Sequence, residues 1–119
     1  VAKVSLRDRI LAADDIGKEL LVVPHWDVEV ELRTMTASER SKMLASAVDN
    51  NGNMDLEELY PRILIATVYD PESGDPVFDS DDVASLATKS AAAIEFVAQK
   101  SMALSGLAGD GVDEAGKAS

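Results

Sequence analysis

The 119 residues carry a formal net charge of −11 and no cysteine. That length makes one domain with a modest core. The charge argues against nucleic acid or an anionic membrane surface as a partner, since both would repel it, and without cysteine there is no disulfide, thiolate metal site or thiol nucleophile. No run approaches the roughly 18 apolar residues of a membrane span. The first residues lack the apolar centre of a signal peptide, and Val1 rather than Met opens the sequence, as in a processed or trimmed start.

Ser5 can cap a short helix over residues 6–12, with Leu6, Ile10 and Ala13 on one side and Asp14-Asp15 followed by Gly17 ending it. Residues 18–34 read as a β-hairpin. Glu19-Leu20-Leu21-Val22-Val23 is a short apolar strand and Pro24-His25 the turn. Trp26, Val28, Val30 and Leu32 then alternate with Asp27, Glu29, Glu31 and Arg33, which gives one buried and one wet face. A two-stranded hairpin is marginal in water, so it must lie on helices. It leaves two open edges that invite strand addition, and self-assembly into a homo-oligomeric ring or filament is the corresponding expectation.

Thr36-Ala37-Ser38-Glu39 is a capping box for a helix reaching about Val48, with Met43, Leu44, Ala47 and Val48 inward; Asp49-Asn50-Asn51-Gly52-Asn53 breaks it. The central element spans residues 55–70. Leu56, Leu59, Tyr60, Ile63 and Thr67 share a helical face, and from Ile63 onward the helix is apolar on all sides, as expected of an element surrounded by the fold. Asp55, Glu57 and Glu58 favour the positive end of its dipole. Pro61 either sits early enough to cost little or bends the helix after its first turn.

Residues 70–76 form a turn, and Val77-Phe78 can tuck it down. Ser80 caps a helix that buries Val83, Leu86 and Ala87, and Lys89-Ser90 marks a joint. A last helix covers residues 91–104, with Ile94, Val97 and Ala98 on one side and Phe96 off that line. The predicted fold is α+β, mainly α-helical, with one β-hairpin packed on the helices. Its domain covers residues 1–105, followed by a flexible, Gly-, Ala- and acid-rich tail over 106–119.

Chemistry is sparse. His25 is the lone histidine, and no phosphate-cradling glycine loop or metalloprotease pair is present. Asp49 to Asp55 places oxygen ligands like the start of a calcium loop, but Met54 stands where such a loop needs glycine and Tyr60 where it needs glutamate; a helix-breaking turn accounts for the same residues. Asp79, Asp81 and Asp82 are explained by helix capping. No catalytic residue, cofactor or metal ligand set emerges, and a non-enzymatic protein is expected. An acidic protein-binding regulator, either a DNA mimic or a calcium-responsive module, is the alternative reading.

Several short pieces, taken in order, resemble the tail assembly chaperones of long-tailed bacteriophages. They are Leu6-Arg7-Asp8 with Ile10-Leu11-Ala12-Ala13-Asp14-Asp15; Val23-Pro24-His25-Trp26; Leu32-Arg33-Thr34-Met35-Thr36-Ala37-Ser38-Glu39-Arg40; Val68-Tyr69-Asp70 with Pro76-Val77-Phe78; and Asp82-Val83 through Leu86 to Lys89-Ser90. The resemblance implies a protein of the host cytoplasm, absent from the finished virion, that binds the tape measure protein, keeps it soluble and helps recruit tail tube protein. It also implies a longer form made by frameshifting, for which Gly116-Lys117 is a compatible site. Candidate partner-binding residues are Trp26, Val28 and Val30 on the hairpin, and Ile94, Phe96 and Val97 on the last helix; the apolar strand face reads first as core and second as a contact surface.

Overall fold

A computed structural model of the protein describes residues 4–106. The expected tail and Gly116-Lys117 lie outside the described residues, apart from Gly106. The fold is α+β and mainly helical. In chain order it comprises α1 (Leu6–Ala12), β1 (Lys18–Val23), β2 (Val28–Arg33), α2 (Ala37–Ser46), α3 (Leu56–Thr67), β3 (Val68–Tyr69), α4 (Val83–Leu86) and α5 (Ala91–Leu104).

Helices α1, α2 and α3 start where a side chain takes an unpaired amide, whereas Ser90 at the head of α5 makes no such bond. Ser5 Oγ accepts from Asp8 N at the head of α1. Thr36 and Glu39 complete the capping box of α2 at 3.1 and 2.9 Å. Asp55 caps α3. Before α4 the cap is Asp79, not Ser80: its carboxylate accepts from Asp81 N while Asp82 reaches back to Asp79 N, and Ser80–Asp82 form a 3-10 turn.

The hairpin is longer in its turn and broader in its sheet than the sequence suggested. Residues 24–27 form the turn, with Asp27 at φ +51°, so Trp26 belongs to the turn and β2 begins at Val28. The central helix ends at Thr67, and the chain passes directly into β3. β3 pairs antiparallel with β2, Val68 opposite Leu32 and Tyr69 opposite Glu31, giving the order β1-β2-β3. One of the two expected open edges is therefore occupied. Beyond β3, Tyr69 bridges Pro76 and the 70–76 turn folds over the edge.

The β1–β2 register places Leu21 opposite Val30 and Glu19 opposite Leu32. Side chains of one parity thus line the inner face, where α5 packs beneath both strands and against α3. Val23, Leu32, Ile63, Leu64, Val68 and Val97 are fully buried there. On the outer face Arg33 bonds Glu31 at 2.6 Å and covers the Tyr69 ring at 4.1 Å. α2 adds Met43 and Ala47 to the core by packing on α3, whereas Val48 turns outward into a bridge with Met54. Pro61 is the sixth residue of α3 and buried; it removes the amide that would bond the Glu57 carbonyl.

Two polar side chains lie fully inside. Thr67 Oγ1 donates to the Ile63 carbonyl at 2.6 Å and shares a 3.0 Å hydrogen bond with Ser101. The pair ties the end of α3 to α5 within the apolar core.

Candidate docking surface

Of the six candidate residues, Val30, Ile94 and Val97 are buried in the core at 9%, 6% and 1% exposure. Their burial follows from the pairings above: Val30 points inward under β2, and Ile94 and Val97 line the side of α5 that faces α3 and the sheet. A partner meets at most the rim of these side chains. Val28 is exposed, and Trp26 and Phe96 are half-buried. Phe96 packs its ring 5.7 Å from that of His25, with Lys100 Nζ 5.9 Å from its centre. His25 thus helps cover the aromatic side of α5.

Two apolar hollows adjoin each other across Leu86 and Lys89. One, of about 280 Å³, lies between the start of α3 and the start of α5, with Leu56, Tyr60 and Pro61 on one wall and Ala91 and Ile94 on the other. Glu57 and Glu95 stand on these two walls, and Lys89 joins them at the side. The other hollow, of about 230 Å³, lies between Trp26, Phe78 and Leu86. Together they form a trough from the hairpin turn to the head of α3. Leu56, at 57% exposure, is its most accessible large apolar side chain. The trough is mostly apolar with a few charged groups at its edge, the composition of a helix-binding groove.

Sequence reasoning placed Leu56 and Tyr60 on the core face of the central helix. The structure puts only Ile63, Leu64 and Thr67 fully inside, and the earlier part of the same face emerges into the trough. The signal was a helical apolar face longer than a core of this size can cover. Phe78 was read as tucking its loop down and Leu86 as buried on its helix, but nothing in the sequence brings them beside Trp26.

A third hollow lies where β2 runs past the short β3, bordered by Val28, Val30 and Val77 with Glu29, Asp70 and Glu72. Asp49 forms a turn: its Oδ1 accepts from Asn51 N at 2.8 Å and Asn53 N at 2.9 Å, and Gly52 takes φ +82°. Among the described residues no three acidic or histidine side chains converge as a metal site would need. No described helix is long and apolar enough to cross a membrane.

The fold is one that a phage tail assembly chaperone also adopts. The structure is similar to that of the bacteriophage HK97 tail assembly chaperone, with a TM-score of 0.61 at 17% identity, over 82% of this chain and 91% of that one. No family model matches the sequence, and no curated protein matches it.

Proposed function

We propose that the protein is a non-enzymatic tail assembly chaperone of a long-tailed bacteriophage or prophage, which binds the tape measure protein, keeps it soluble and helps recruit tail tube subunits in the host cytoplasm. The observation that carries this reading is the fold likeness to the HK97 chaperone, which extends over 82% of this chain and 91% of that one. The trough supports it physically. Its apolar floor from Trp26 to Leu56 suits one face of an amphipathic helix. The surplus of negative charge over the molecule disfavours acidic partners and favours basic client segments.

The test is co-expression with the tape measure protein encoded beside it. The client is expected in the soluble fraction and in a co-purifying complex. A client that precipitates beside folded chaperone overturns the reading for this chain. Trp26→Glu and Leu56→Glu, at the two ends of the trough, are expected to lose the complex while keeping the far-ultraviolet circular dichroism of the parent.

A further inference from the structure

Strand β3 stops after two residues, and its register gives the reason. Tyr69 lies opposite Glu31, so the same antiparallel pairing carried two residues further would set Pro71 opposite Glu29. The Val68 carbonyl accepts from the Val77 amide, and the Asp70 amide donates to the Asp75 carbonyl. Tyr69 is thus the residue of this stretch that turns its backbone groups to β2. Alternation makes position 71 the next to do so, and a proline there has no amide hydrogen to give. The chain turns away after Asp70 instead.

β2 keeps the unused half of that pairing. Thr34 donates to the Gly17 carbonyl at 3.0 Å, in line with the β1–β2 register. The even-numbered residues of β2 therefore bond β1, and Glu29 and Glu31 turn their backbone groups to the side of β3. Glu31 meets Tyr69 there, whereas among the described residues nothing on that side bonds the Glu29 amide or carbonyl.

This bare stretch opens into the third hollow, of about 770 Å³. Leu20, Val28 and Val77 border it with 56%, 44% and 45% exposure, so apolar surface lies beside the free peptide groups. Glu29 and Glu72 stand at its margin without an ion pair among the described residues, and Asp70 adds a third carboxylate. Glu31 is already held by Arg33. No lysine or arginine lines the hollow.

Free peptide groups, an apolar lining and surplus carboxylates together suit an extended segment with β-branched and basic side chains. Two parts of this chain do not fit. Residues 107–119 hold Asp110, Asp113 and Glu114 against Lys117 alone, and β1 offsets Lys18 with Glu19. We infer that β2 accepts, beside Glu29 and in line with β3, an extended segment of another protein rich in lysine or arginine and β-branched residues. Its peptide groups pair with those of Glu29, its aliphatic side chains cover Val28 and Val77, and its cations meet Glu29 and Glu72. This seat shares no lining residue with the trough and takes a strand rather than a helix, so it stands or falls apart from the client reading.

The probe is the peptide acetyl-Lys-Val-Lys-Val-Lys-amide, added at millimolar concentration to nitrogen-15-labelled protein while amide hydrogen exchange is read residue by residue. In the free protein the Glu29 amide is expected to exchange as an open-edge amide does, and the peptide should slow it about fivefold or more. A twin of the same charge with its three central amides N-methylated should leave it unchanged, as should a peptide with glutamate in place of lysine. Glu72→Lys should lose most of the response, whereas Trp26→Glu and Leu56→Glu should keep it. A Glu29 amide already protected in the free protein would mean a closed seat, and no slowing by the peptide an unusable one. Equal slowing by the methylated twin would show adherence of a polycation only. Protection of the Leu20 and Val22 amides in place of Glu29 would show a strand added to β1. Each of these four results overturns the inference.

Discussion

At the residue scale the most informative group is the Thr67 hydroxyl. It closes the last turn of α3 onto the Ile63 carbonyl and holds Ser101 from the neighbouring helix, where water cannot substitute. A buried hydroxyl without a partner costs about 1–3 kcal/mol, whereas removing both members of a pair is far less harmful. Thr67→Val is therefore expected to destabilise the fold by about that amount, and Ser101→Ala added to it to recover part of the loss, as read by urea unfolding of the two single variants and the double variant. Leu64 lies at the same depth as part of the hydrophobic core. Leu64→Ala should cost about 2–5 kcal/mol through lost transfer energy and the cavity left behind, checked by the same unfolding series.

Elements show which parts of the fold were legible in the chain and which were not. Caps and periodicity depend on neighbours in sequence, so the helix over 91–104, the Thr36–Glu39 box and the hairpin over 18–34 could be read locally. Thr36→Ala should remove the side-chain half of that box and cost about 0.5–2 kcal/mol, visible as a lower unfolding midpoint. β3 could not be read this way. Val68-Tyr69 continues the apolar run of α3 without a break in composition, and only pairing with Glu31 and Leu32, far away in the chain, makes it a strand. The candidate site divides along the same line. Trp26 was read as the start of the apolar strand face, core first and contact second; it stands half-buried in the turn, and its neighbours Phe78 and Leu86 come from a loop and a four-residue helix placed by tertiary packing. Val30, Ile94 and Val97 obeyed the periodicities that nominated them, and those periodicities describe core faces as well as contact faces.

For the whole molecule, the sheet has two unlike sides. β1 is the six-residue strand at one edge, with Leu20 and Val22 exposed on the outer face. The opposite side carries the two residues of β3, and the Tyr69–Pro76 bridge lies beyond them. Proline has no amide hydrogen to offer a further strand. If two copies met edge to edge along β1, each outer limit of the combined sheet would be a β3 already folded over by its own loop. Cross-β stacking needs an edge that reappears with every added chain, and here the first addition uses up the long edge. Prolonged incubation of concentrated protein is therefore expected to leave thioflavin T fluorescence flat, and sustained fibril growth would show that β3 and its loop detach from β2. A protein proposed to spend its working life beside an aggregation-prone client thus offers that client no endless template.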